Sequence, residues 1–73
     1  MFESKNVARD VSDLMVDIGR QLDASLSGVR EGCSADEYKA YLAVVARMLG
    51  DMLLDVMNPI YARHPELKPA ELD

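Results

Sequence analysis

The chain has 73 residues, 13 acidic and 8 basic, for a formal net charge of −5, and its scattered bases among surplus acids exclude nucleic acid and an anionic membrane surface as partners. One cysteine and one histidine rule out an internal disulfide and argue against a zinc staple or other metal. A domain this short struggles to bury enough surface to be stable alone, which makes self-association the expected remedy.

No stretch approaches the roughly 20 apolar residues of a membrane span, and the opening Met-Phe-Glu-Ser-Lys has no apolar segment of a signal peptide. A soluble protein of a reducing cytoplasm is expected. The first periodic segment follows directly. Val7, Val11, Leu14, Met15, Ile18, Leu22, Leu26 and Val29 recur at spacings of three and four, predicting an amphipathic helix over 4–29. Arg9, Asp10, Asp13, Asp17 and Arg20 fall on its opposite face, as a solvated surface does.

Gly28 and Gly32 suggest a left-handed stop and a loop over 30–34. Ser34-Ala35-Asp36-Glu37 then has the Ser-x-x-Glu form of a capping box and opens a second helix over 35–58. This helix is apolar around about half its circumference, more than one neighbour covers. Leu42, Leu49, Leu53 and Val56 are expected to face the first helix in an antiparallel hairpin. Tyr41, Val45, Met48 and Met52 are left for a dimer or partner interface. Ala43, Ala46 and Gly50 lie along one side, where small residues permit close approach.

Pro59 removes an amide and clashes with the preceding turn of an α-helix, so a stop or kink is expected near Met57. With Asn58 as N-cap, a short helical turn is predicted over 59–63, then a tail over 64–73. Two readings of this end compete. In one, Ile60, Tyr61 and Leu67 fold back near Phe2 as an apolar flap. In the other, Tyr61, His64 and Lys68 gather into a polar site for a small anion or a partner's peptide.

The end Asn-Pro-Ile-Tyr-Ala-Arg-His-Pro-Glu-Leu-Lys-Pro, with the preceding Met-Leu-Gly-Asp-Met-Leu-Leu-Asp-Val-Met and Cys-Ser-Ala-Asp-Glu-Tyr-Lys-Ala-Tyr, resembles a group of short hypothetical bacterial helical proteins. The likeness spans residues 33–69. It implies a bacterial cytoplasmic setting and carries no activity, cofactor or site.

Chemistry-bearing constellations are sparse. Cys33 and His64 are the sole thiol and imidazole, and a helix between them rises about 1.5 Å per residue, placing them some 40 Å apart within one chain. Asp10, Asp13, Asp17, Asp51 and Asp55 lack the Glu-x-x-His partners of di-iron bundles. No cofactor is expected. The sequence therefore predicts an all-α antiparallel two-helix hairpin with a short C-terminal helical turn, dimerising into a four-helix bundle. The expected function is non-enzymatic: a small interaction or regulatory protein whose partners are itself and another protein. The alternative is a small-molecule-binding bundle with an apolar cavity lined by Tyr38, Tyr41, Met48 and Met52.

Overall fold

The structure, a computed structural model, describes residues 1–69; the last part of the expected tail, 70–73, lies outside the described residues. Ser4 starts the first helix by accepting the Val7 amide on its hydroxyl at 3.3 Å, which satisfies one of the donors a helix start leaves open. Helix α1 spans Lys5–Gly32. It passes Gly28 without a break and outlasts the expected end at Val29, so the expected loop over 30–34 shrinks to Cys33 and Ser34.

No glycine takes a positive φ. Glycine permits a left-handed stop but does not impose one, and here the last turn has reasons to continue. The Arg30 guanidinium lies over the Tyr38 ring, 5.6 Å from its centre, an attraction that ties the end of α1 to the start of the next helix. A cation also suits the negative end of a helix dipole. Cys33 then turns extended, its amide donating to Val29 O at 3.0 Å.

Helix α2 spans Ala35–Met52. Its start is the capping box that the sequence announces: the Glu37 amide donates to Ser34 Oγ at 3.2 Å, and the Ser34 amide donates back to Glu37 Oε1 at 3.1 Å.

Pro59 does not stop the chain. Helix α2 runs into a π-helical turn over Leu53–Met57 and on into α3 over Asn58–Arg63. Asn58 is not an N-cap as expected; its backbone is helical, with φ −61 and ψ −44, and its amide reaches back five residues to Leu53 O. The expectation of a break at 58 considered only the α-helix, whose narrower turn sets a proline ring against a carbonyl four residues earlier. A π turn holds one more residue, moves those carbonyls away and carries the axis through. His64 ends α3, and a 3-10 turn follows over Pro65–Leu67.

Among the described residues all regular structure is helical. Three contacts fix an antiparallel hairpin. Ser12 Oγ meets Tyr61 Oη at 2.6 Å, Ser25 Oγ meets Tyr41 Oη at 2.5 Å, and Leu49 Cδ2 lies 3.6 Å from where a Gly19 Cβ would stand. Ser25 also donates to Leu22 O at 2.6 Å. A hydroxyl has one proton, so Tyr41 is the donor to Ser25.

The core sits at the end where the N-terminal segment meets α3 and the 3-10 turn. Ala8, Met57, Ile60 and Tyr61 are buried together, with Val11, Met15, Val16, Val56 and Leu67 packed around them. Val45 is the other buried apolar residue among those described, and it lies nearer the hairpin tip.

Open space surrounds Gly50, with no atom within 4 Å of an added Cβ, so packing within the chain does not require glycine in this helix interior. Gly50→Ala is expected to stabilise the fold by about 0.5–1 kcal/mol through helix propensity. Thermal melts at fixed concentration check this, and a loss of stability would mean that a neighbour from another chain occupies the space.

Candidate functional site

The expected interface residues divide. Val45 is 1% exposed and turns inward against α1, a correction to its expected place on the outer flank. Tyr41 is half-buried with its hydroxyl on Ser25, and Met52 is half-buried beside α1. Met48 is exposed, as are Leu42 and Leu53, two of the residues expected to face α1. An apolar arc of half a circumference leaves the rotation of α2 open. The tyrosine hydroxyls settle it, because each needs a polar partner when buried and α1 offers Ser12 and Ser25 at the two matching levels.

Two flanks result. A groove of about 390 Å³ brings Val16, Arg20 and Asp23 of α1 together with Leu49 of α2 and Leu53, floored by Met15, Met52 and Met57. Of Tyr38, Tyr41, Met48 and Met52, the expected cavity lining, Met52 alone lines it. On the helical wheel the opposite flank of α1 carries Val7, Val11, Leu14 and Ile18. Because the groove pairs the Val16 side of α1 with the Leu49–Leu53 side, this other flank is on the side of α2 that carries Val44 and Met48 together with the exposed Asp51 and Asp55.

The C-terminal candidates also separate. Tyr61 is in the core with its hydroxyl on Ser12. His64 is half-buried at the same end, where its Nε2 stands 3.0 Å from Phe2 O. A carbonyl only accepts, so Nε2 carries the proton. Lys68 follows the 3-10 turn and is exposed. The structure thus brings His64 not to Tyr61 but to the N-terminal segment, in a clasp. The Met1 ammonium donates to Pro59 O at 3.4 Å, and Lys5 Nζ lies 3.3 Å from Glu66 Oε1, which is 3.9 Å from His64 Nδ1. Phe2 takes a φ of 65°, a left-handed backbone that costs a residue with a side chain about 1–2 kcal/mol; its carbonyl bond to His64 and the Met1 contact hold it there.

Glu66 is kept below the ordinary carboxylate value of 4.5, first by a backbone hydrogen bond, against some desolvation, and then by Lys5 and His64. A depressed folded value stabilises the clasp above the unfolded value and releases that stability as pH falls through the folded one. A carbon-detected NMR titration is expected to place the Glu66 midpoint below 4.5 and to move it upward in Lys5→Ala. A midpoint that ignores Lys5→Ala would mean that the pair is not formed in solution.

Cys33 is free and exposed at the hairpin tip, at the far end from His64. Among the described residues no group of three or more His, Cys, Asp or Glu is placed to hold a metal ion, and no helix is long and apolar enough to cross a membrane. The chain matches no known family model, no curated protein and no solved structure.

Sequence reasoning missed Val7, Leu14 and Val44 as exposed apolar positions. Their signal was present: each falls at the edge of its helix's apolar arc, where a hairpin partner does not reach.

Proposed function

We propose that this chain is a small non-enzymatic interaction or regulatory protein that works as a homodimeric four-helix bundle, presenting its acidic sides and C-terminal segment to another protein. The observation that carries the reading is the shortage of core against the apolar surface left outside. Among the described residues five apolar side chains are buried, while Val7, Leu14, Leu42, Val44, Met48, Leu53 and Leu54 remain exposed. Large apolar side chains left outside in this number, set against so small a core, favour a partner that covers some of them. A bacterial cytoplasm is the proposed setting, and a lone exposed thiol at Cys33 fits a reducing compartment.

The test is unfolding at several concentrations. A fold that depends on association is stabilised by mass action, about 2.7 kcal/mol for each hundredfold rise over the dissociation constant. Melting temperature is therefore expected to climb by several degrees between micromolar and hundred-micromolar chain. A monomer that melts at one temperature throughout overturns the reading.

A second reading, small-molecule binding, is favoured by the groove. Its volume of about 390 Å³ falls in the range of ligand pockets, which run from about 300 to 1,000 Å³, and its floor of three methionines suits adaptable apolar contacts. A specific apolar compound that raises the melting temperature of wild type, and not of Met52→Glu, would support it.

A further inference from the structure

We infer that a second copy of this chain packs antiparallel on the groove side of the hairpin, with Arg9 meeting Asp23 of the other copy and Arg20 meeting its Asp13 about a two-fold axis at Val16. The inference rests on the homodimer reading above and gives it a face and a direction.

The two broad sides of the hairpin differ in the signs of their charges. On the side away from the groove, Asp10 and Asp17 interleave with Val7 and Leu14 of α1. Glu37, Asp51 and Asp55 share the phase of Val44 and Met48 on the second helical strand, with Arg47 as the nearest base. In a two-fold dimer a patch meets its own image, so on that side acids meet acids, a repulsive arrangement. The groove side is mixed. Arg9, Asp13, Val16, Arg20 and Asp23 fall within about 80° of one another around α1. Val16, Arg20 and Asp23 line the groove, and Asp13 borders the adjoining hollow beside Pro69. All four charges are exposed.

Their order along the helix makes this flank complementary to itself. Read from the N-terminus the signs run plus, minus, plus, minus; an antiparallel copy presents them in reverse. Arg9 and Asp23 stand seven residues either side of Val16, and Asp13 and Arg20 stand three and four. At about 1.5 Å per residue these are roughly 10 Å and 5 Å along the axis. With the two-fold axis at Val16, each base is level with an acid of the other copy, and Val16 is level with itself. The other helix agrees with this level. Leu49 faces Gly19 and the helices run oppositely, so Val16 stands level with Met52, next to Leu53, and both line the groove. Apolar residues thus hold the centre of the seam and charges lie outside them, as interfaces are commonly built. A two-fold axis along the rod would instead lay the four charges on the flank of Leu42, Ala46, Leu49 and Leu53, where Lys39 is the one charge among the described residues, leaving ions desolvated without partners. Arg20 keeps a contact within its own chain, and a guanidinium has five donors, enough for a second acceptor. Lys5, Arg30 and Glu31 share the flank near the ends of the rod, where Glu66 holds Lys5 and the Tyr38 ring holds Arg30.

The deciding experiment is sedimentation equilibrium of wild type, Asp13→Arg, Arg20→Asp and an equimolar mixture of the two variants. Wild type is expected to be a dimer. Each variant alone sets two like-charged pairs across the seam and is expected to raise the dissociation constant about a hundredfold. In the mixture each reversed charge meets an opposite one again, so a heterodimer of nearly wild-type affinity is expected. Asp10→Arg, the same change on the other side of α1, is expected to leave the dimer intact. A wild-type chain that stays folded and monomeric leaves the groove to a small apolar molecule or to the segment after Pro69, and overturns the homodimer reading and the seam together. A wild-type dimer that both variants leave intact, or that their mixture fails to restore, overturns the seam alone.

Should either charge-reversal variant unfold, distances across the dimer decide. Asp51 and Leu53 are both exposed and stand at nearly the level of the axis, on opposite sides of the hairpin. In a Cys33→Ser background, nitroxide labels at Leu53→Cys are expected to be nearer each other than labels at Asp51→Cys. Loss of the dimer on labelling position 53 and not position 51 reports the same face. The reverse of either result places the seam on the other side and overturns the inference.

Discussion

Ile60→Ala is expected to destabilise the fold by about 2–5 kcal/mol, the range for emptying a fully buried aliphatic site. Ile60 is 0% exposed and belongs to the single cluster formed with Ala8, Met57 and Tyr61. Its neighbours cannot collapse freely into the space. Ala8 has no side chain to extend, Tyr61 is tethered through its hydroxyl to Ser12, and Met57 is fixed in the π turn. Small domains have only a narrow margin of stability, so most of this one's is removed, and the variant is expected to be largely unfolded at physiological temperature. Urea unfolding at a fixed chain concentration reads the effect. Leu54→Ala, at a residue 65% exposed and six positions earlier in the chain, is expected to stay within about 0.5 kcal/mol of wild type. A small effect at Ile60 would mean that α3 does not pack on α1.

The second large effect concerns the buried hydroxyl pair. Ser12→Ala leaves the Tyr61 hydroxyl at 6% residue exposure with no partner from α1, and a buried group deprived in this way costs about 1–3 kcal/mol. Tyr61→Phe is expected to cost less. A serine in a helix can turn its proton to the carbonyl four residues earlier, an escape that the rigid phenol lacks. The double variant Ser12→Ala, Tyr61→Phe is expected to fall short of the sum of the singles, because no polar atom is then stranded. Simple additivity in the double-mutant cycle would show that the 2.6 Å contact is not formed in solution.

The start of α2 was the most legible feature of the chain. The Ser34–Glu37 pair solves a local problem, unsatisfied amides, with residues inside the same turn, so the sequence carries the whole argument. Helix ends were less legible. Gly28 and Gly32 allow a stop, yet whether the last turn of α1 persists depends on Arg30 reaching Tyr38, a residue of the other helix. Pro59 was read against one helix type, while the wide turn at Leu53–Met57 removes the clash that the reading assumed.

The site was legible in kind and not in phase. That α2 has more apolar surface than α1 covers follows from periodicity alone. Which residues remain outside depends on pairing Tyr41 with Ser25 and Tyr61 with Ser12, contacts between positions 16 and 49 apart in the chain. These pairs turn Val45 inward and leave Met48 out. For the same reason Tyr61 and His64, three residues apart, end in different surroundings.

The packed cluster and the Cys33–Ser34 link lie at opposite ends of the rod. In many hairpins the free chain ends fray while the connected end holds. Here both ends of the rod are shut, one by side chains and the other by the peptide chain itself. Slowest amide exchange is therefore expected around Ala8 and Tyr61, and faster exchange toward residues 26–40. A cut at Cys33–Ser34 would turn the rod into two helices still gripping each other at one end, like tongs with the pivot moved to the jaws.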